Sequence, residues 1–197
     1  MSDDGVDLGR RHFLTVATSI TGGVGVFLAA VPFVLSMKPS VKAKALGAPV
    51  EIDISRLEPG QATYVAWRGR SIAVVSRTPE MLASLAYLIP QLDDPDSEQP
   101  QQPEYAQNQF RSRKSEFLVV ESLCTHLGCS PTFRPEVAPA DLGPDWKGGF
   151  FCPCHGSFFD LAGRVFKDVP APLNLVIPPH KYLSEYIILI GDDSEMV

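Results

Sequence analysis

The sequence predicts a mostly β head behind a single N-terminal membrane helix. Three observations carry this. The 26 residues from His12 to Met37 contain no Asp, Glu, Lys or Arg. Beyond Val50 the apolar residues recur with the period of two that strands require. The 197 residues include 18 prolines and 15 glycines, a composition of turn-rich β structure rather than of a helical bundle.

The N-terminal segment comes first. A helix of that length runs to about 39 Å at ~1.5 Å per residue, against a hydrocarbon core of ~30 Å, so it spans with tilt or frayed ends. An A-x-A cleavage pattern at Ala43 and Ala45 raises the alternative of a removed leader. Leader apolar regions run only about 7–15 residues, so an uncleaved anchor over 12–37 is the expectation. Thr21, Gly25 and Ala29 form a row of small residues that would let another helix approach, although scattered small residues in a lone anchor give the same pattern. Charge does not orient the span, because Arg10 and Arg11 precede it while Lys38, Lys42 and Lys44 follow. Gly9–Leu14 (GRRHFL) resembles the twin-arginine export signal, with Gly where Ser or Thr is usual. Such a signal is an address read by a receptor. It implies a bacterial inner-membrane protein with residues 1–11 in the cytoplasm and its bulk in the periplasm. That route exports folded proteins, so a cofactor can be inserted before crossing.

Residues 38–49 (KPSVKAKALGAP) lack apolar periodicity and are expected to form a flexible tether. Residues 50–197 form the head. Strands are predicted at Val50–Ile54, Gln61–Trp67 and Ser71–Ser76, the last two joined by a tight turn at Arg68-Gly69. Thr78-Pro79-Glu80 supplies an N-cap, a first-turn proline and a first-turn acid, so a helix over Pro79–Leu88 follows. Gln91–Ser115 is polar and proline-bearing. A loop of that length is either functional or loosely ordered, and its sequence assigns it no role. Phe117–Glu121 and Gly149–Phe151 are strands leading to Cys124 and Cys152. Phe158–Phe166 is expected as a hairpin turning at Ala162-Gly163, and Tyr182–Ile190 as one last strand.

A net charge of −6 argues against a nucleic-acid partner. All four cysteines lie in two short loops, Cys124-x-His126-x-x-Cys129 and Cys152-x-Cys154-His155. A disulfide scaffold would spread them along the chain. Facing each other, the two loop tips would offer four cysteines and two histidines. Three assignments compete on the residues alone. A closed zinc site with two Cys and two His leaves two cysteines idle. A catalytic Cys–His pair leaves the duplication unexplained. A two-iron cluster with two Cys on one iron and two His on the other takes one ligand of each kind from each loop.

Both loops resemble those of the Rieske iron–sulfur protein of cytochrome bc complexes. The resemblance extends over export signal, anchor, tether, head and a later Pro170-Ala-Pro-Leu-Asn-Leu175 segment. It implies a Rieske-type antiparallel β-sandwich head with a cluster-binding subdomain within about 122–175, and one 2Fe-2S cluster. Cys124 and Cys152 would bind the inner iron, His126 and His155 the outer, and Cys129 and Cys154 would pair as a disulfide. The two histidines would be the residues that meet substrate. Imidazole ligation raises the potential to roughly −150 to +300 mV, from about −400 mV with four thiolates. Ser157 matches a serine that donates to a bridging sulfide. Phe159 stands where many members carry a tyrosine whose hydroxyl bonds a cysteine sulfur, so a lower potential is implied. Leu127 matches a leucine that docks on cytochrome b. Gly128 and Gly156 permit tight turns. Pro170, Pro172 and Asn174 match a proline loop covering the cluster's third side. His12 belongs to the export signal, and His180 is expected to be surface or structural.

The implied function is that of the electron-transfer subunit of a ubiquinol–cytochrome c oxidoreductase. Its implied partners are cytochrome b, cytochrome c1 and ubiquinol, in a dimeric complex embedded in the membrane. The small Rieske subunit of another periplasmic oxidoreductase, such as arsenite oxidase, shares signal and disulfide but would lose its leader. A zinc-stabilised binding module would be colourless. Dioxygenase-type Rieske domains usually lack the extra cysteine pair and the anchor.

Overall fold

The computed structural model of the chain describes residues 7–194, so residues 1–6 of the expected cytoplasmic stretch lie outside the described residues. Two units divide between Ala45 and Leu46. In the first, Asp7 accepts the N–H groups of Gly9 and Arg10 at 3.0 and 3.1 Å, satisfying donors that a helix start leaves free. Helix α1 then runs over Leu8–Ser36 with Pro32 inside it and none of its side chains buried. Its 29 residues reach about 44 Å, and it begins one turn earlier than the anchor expected from charge alone. The expected tether is not wholly irregular. Val41–Gly47 (VKAKALG) form a short helix α2, with Ser40 Oγ accepting the Ala43 N–H at 3.1 Å. Alanine, lysine and leucine are strong helix formers, and they form this turn without any apolar stripe to announce it.

The second unit is the mostly β head that the sequence predicts. Strands β1 (Val50–Asp53), β9 (Ile187–Ile190) and β8 (His180–Tyr182) make one antiparallel sheet in that order. Strands β2 (Ala62–Trp67), β3 (Arg70–Ser76) and β4 (Phe117–Glu121) make a second. Strands β5 (Thr132–Arg134), β6 (Gly149–Cys152) and β7 (Ser157–Phe159) make a third. The second sheet is central. On one face Ile72, Val74 and Val119 pack with Ile188 and Ile190 of the first sheet. On the other, Ala73, Val75, Leu118 and Val120 pack with Phe150 and Phe159 of the third. A strand covered on both faces must be apolar throughout, which is why β3 reads Ile72-Ala-Val-Val75 without alternation.

The β2–β3 turn has φ of 51° at Arg68 and 74° at Gly69, as a two-residue hairpin turn needs. Helix α3 (Pro79–Leu88) starts where predicted, with Thr78 Oγ1 accepting the Met81 N–H at 3.3 Å. The hairpin after β7 also turns where expected, at Gly163 (φ 71°), whose N–H reaches the Asp160 carbonyl at 2.9 Å. The last segment differs. Tyr182–Ile190 is not one strand, because Ser184 Oγ accepts the Ile187 N–H at 3.2 Å and the chain reverses to form the β8–β9 hairpin. A serine side chain here takes a backbone donor that a continuous strand would need. Strand β5 was not anticipated; at three residues it is too short to show a period. Gln91–Ser115 is not loosely attached: Ser97, Ala106 and Arg111 within it are completely buried.

Candidate metal centre

The two cysteine–histidine loops are built alike. After β4, the Gly128 N–H returns to the Cys124 carbonyl at 2.9 Å. After β6, the Gly156 N–H returns to the Cys152 carbonyl at 3.0 Å. Each closing glycine has positive φ, 79° and 75°, a conformation that a side chain would resist. Each loop is thus a single turn that starts on a cysteine, lifts a histidine to the tip and closes on a glycine. A further bond from the Cys124 N–H to the Cys129 carbonyl at 2.8 Å narrows the neck of the first loop.

The tips meet. Cys129 and Cys154 are joined by a disulfide. The rings of His126 and His155 face edge to face-plane, 4.7 Å between centroids at 84°. His155 is exposed and His126 half-buried, while Leu127 stands 71 % exposed beside them. Below, the thiols of Cys124 and Cys152 are free and buried. Burial pushes the Cys124 thiol up, and the neighbouring Cys152 thiol adds to this. A bound cation would reverse that shift, since a coordinating thiol is deprotonated outright. The Sγ atoms of Cys129, Cys152 and Cys154 lie within 4.8 Å of one another, but two of these three are spent on each other.

The donor set fits an iron–sulfur group. Two free thiols neighbour each other, two imidazoles face each other on the loops that carry them, and His126 Nδ1 is buried with no hydrogen-bond partner. An orphaned buried nitrogen costs free energy unless something bonds it, and a metal would.

Other residues named in the sequence fall as follows. Ser157 is fully buried, accepts the Ala171 N–H at 3.0 Å, and its hydroxyl opposes the upward push of burial on the Cys124 thiol. Phe159 is fully buried in β7 and brings no hydroxyl. Pro170 and Pro172 are exposed, with Ala171 buried between them. Asn174 is buried; its Oδ1 accepts the Val165 N–H at 2.8 Å and its Nδ2 donates to the Asp94 carbonyl at 3.0 Å. Thr125, which the sequence did not single out, donates to the Leu173 carbonyl at 2.6 Å and ties the first loop to the proline segment. Its place between a cysteine and a histidine was the available signal.

His180 lies elsewhere and is not at the surface. It is fully buried, its N–H meets Tyr105 Oη at 2.9 Å, and its Nδ1 lies 2.9 Å from the Pro178 carbonyl. His12 lies on α1.

Two family profiles match. One, described as "Ubiquitinol-cytochrome C reductase Fe-S subunit TAT signal", covers residues 1–40, and the Rieske [2Fe-2S] domain covers residues 89–179. The ubiquinol-cytochrome c reductase iron-sulfur subunit of Allochromatium vinosum is 62 % identical over 193 residues, covering 98 % of this chain and 93 % of that protein. That of Blastochloris viridis is 42 % identical, covering 96 % of this chain and 97 % of the relative. A solved hyperthermophilic respiratory Complex III chain aligns over 88 % of this chain and 98 % of its own length, at 25 % identity and a TM-score of 0.48. On relatives this similar over nearly their whole length, the chain belongs to the family of ubiquinol–cytochrome c reductase iron–sulfur subunits, with a Rieske [2Fe-2S] domain over residues 89–179.

Proposed function

We propose that this subunit takes one electron, with a proton, from ubiquinol at the quinol-oxidation site of cytochrome b and passes the electron to cytochrome c1. Cys124 and Cys152 would hold the inner iron of a 2Fe-2S cluster, and His126 and His155 the outer. When bound, a cluster so ligated supplies one-electron redox chemistry at roughly −150 to +300 mV. The observation that carries the reading is the division of labour at the two tips: buried free thiols below, facing imidazoles above, and a disulfide using up the spare cysteines.

Each residue has a task. His155, exposed, presents a ring nitrogen that accepts a hydrogen bond from the quinol hydroxyl and takes its proton. Leu127 offers an apolar contact to cytochrome b beside it. Ser157, its oxygen already engaged by the Ala171 N–H, has its own hydrogen left to donate toward sulfur. Donors of that kind stabilise the more negative reduced state. Anchor α1 keeps the head at the inner membrane of a bacterium, with the N-terminus cytoplasmic, the head periplasmic and the complex dimeric. Residues 38–49 act as the tether. An isolated helix as short as α2 is below the ~12–15 residues that are even marginally stable in water, so it can melt and re-form as the head moves between donor and acceptor.

Electron paramagnetic resonance of ascorbate-reduced membranes, with iron and acid-labile sulfide assays on the purified chain, tests the centre. Two irons, two sulfides and a reduced-state signal are expected; one zinc and no sulfide would overturn it. The proton is tested separately. The midpoint potential should fall with rising pH in the alkaline range, and a flat profile would remove proton coupling.

A further inference from the structure

Three fully or nearly buried arginines surround the hairpin that follows the second ligand loop. Arg77 donates to the carbonyls of Leu161, Phe110 and Ser115 and to Ser112 Oγ, at 2.7 to 3.1 Å. Arg164 donates to Asp160 at 2.8 Å and to the carbonyls of Leu85 and Pro95 at 3.0 and 3.2 Å. Arg111 donates to the carbonyls of Ala162 and Gly163 at 3.1 Å, to that of Leu175 at 2.8 Å and to Gln102 Oε1 at 2.9 Å.

Arg111 differs from the other two in what it joins. Its guanidinium bridges the hairpin turn and the end of the proline segment. The same polar stretch grips that segment a second time, through Asn174 Nδ2, which donates to the Asp94 carbonyl at 3.0 Å and lies 3.4 Å from Ser97 Oγ. The backbone is strained at both grips. Arg111 has φ 48° and Ser97 φ 55°, and both are completely buried. A non-glycine residue in that conformation costs free energy, and it persists where the surroundings impose it.

We infer that Gln91–Ser115 is a buttress for the proline segment, with Arg111 as a positioning residue for the metal centre. The inference rests on the reading of that centre given above. The chain of contacts is short. Arg111 holds Leu175; the Leu175 N–H is bonded to the Gly163 carbonyl at 2.8 Å; and four residues earlier the Ala171 N–H fixes Ser157 Oγ. Without the guanidinium, the carbonyls of Ala162 and Leu175 lose their donor and that of Gly163 keeps only the Leu175 N–H. The segment then loosens, and the Ser157 hydroxyl loses its orientation toward sulfur.

Hydrogen exchange on the full-length holoprotein, read by mass spectrometry, tests this with Arg111→Gln, which meets the same backbone strain as arginine. Exchange at the amides of Ala171 and Leu175 should accelerate roughly tenfold or more, while Val74 and Val119 in the central sheet stay within about twofold. The midpoint potential should fall in the same variant. Equal acceleration in both regions would reduce Arg111 to a general stabiliser and overturn the inference, as would an unchanged loop or an unchanged potential. Gln102→Leu, which removes one of the four acceptors, should show the same ranking on a smaller scale and decides the matter if Arg111→Gln does not fold. A parent protein without iron would sink the reading of the centre, and the exchange contrast would still decide the buttress.

Discussion

The central sheet and the small sheet that carries the second cysteine–histidine loop are held by different physics. β3 and β4 pair over five registers, and apolar side chains cover both faces. β6 and β7 pair over three; the loop between them is held by the disulfide, and the chain beyond them by guanidinium–carbonyl bonds and a buried Asp160–Arg164 pair. Burial stabilises without direction, so it suits a scaffold. A loop that lifts histidines into solvent has little to bury at its tip. It needs directional bonds, each of which fixes one atom relative to another.

This contrast can be broken at either end. The largest effect is expected from Cys152→Ser: complete loss of the reduced-state paramagnetic signal, with the far-ultraviolet signature of the central sheet retained. Loss of the sheet as well would mean that the scaffold depends on the metal.

Next, the double change Cys129→Ala/Cys154→Ala should cost about 3.5 kcal/mol by chain entropy for cysteines 25 residues apart. Ile188→Ala in the scaffold should cost a similar 2–5 kcal/mol as a cavity. Urea denaturation checks both. Only the cysteine change should also alter the resonance spectrum, and a spectral change in Ile188→Ala would blur the distinction between the two regions.

A third test uses pH. Burial pushes the His180 imidazole down to about 4, against ~6.5 in an unfolded chain. As pH falls below ~6.5 the unfolded state takes up a proton first, so stability drops by up to about 3 kcal/mol before levelling near pH 4. Above ~6.5 the group adds no slope. His180→Gln should flatten that limb in urea titrations at stepped pH; an equally steep limb would assign it to another group.

The smallest effect belongs to Phe159→Tyr. A hydroxyl in reach of a cysteine sulfur should raise the midpoint potential with little change in stability, and an unaltered midpoint would show that the hydroxyl finds no sulfur.

Legibility in the sequence followed the same division. The central strands β3 and β4 were readable because burial on both faces writes unbroken apolar runs into the chain, and α3 because Thr78-Pro79 marks its start. The pairing of the two cysteine–histidine loops was readable because cysteine and histidine recur in both at close spacing. The directional clamps were not. Arg111 sits among polar residues in a stretch that looks solvated, and nothing local says that three of its four acceptors lie 51 to 64 positions away. The β8–β9 turn was missed for a related reason, since one serine hydroxyl decided it.

The closeness of the sulfurs has a consequence for assembly. The Cys152 sulfur lies within 4.8 Å of both partners of the bridge. As a bare thiolate it is placed to attack that bridge and trade partners. Four cysteines admit three pairings, of which one leaves the 124 and 152 positions joined and two leave them mispaired. Either scrambled pairing would take up the Cys152 thiol, so a metal held on that sulfur would protect the bridge as well.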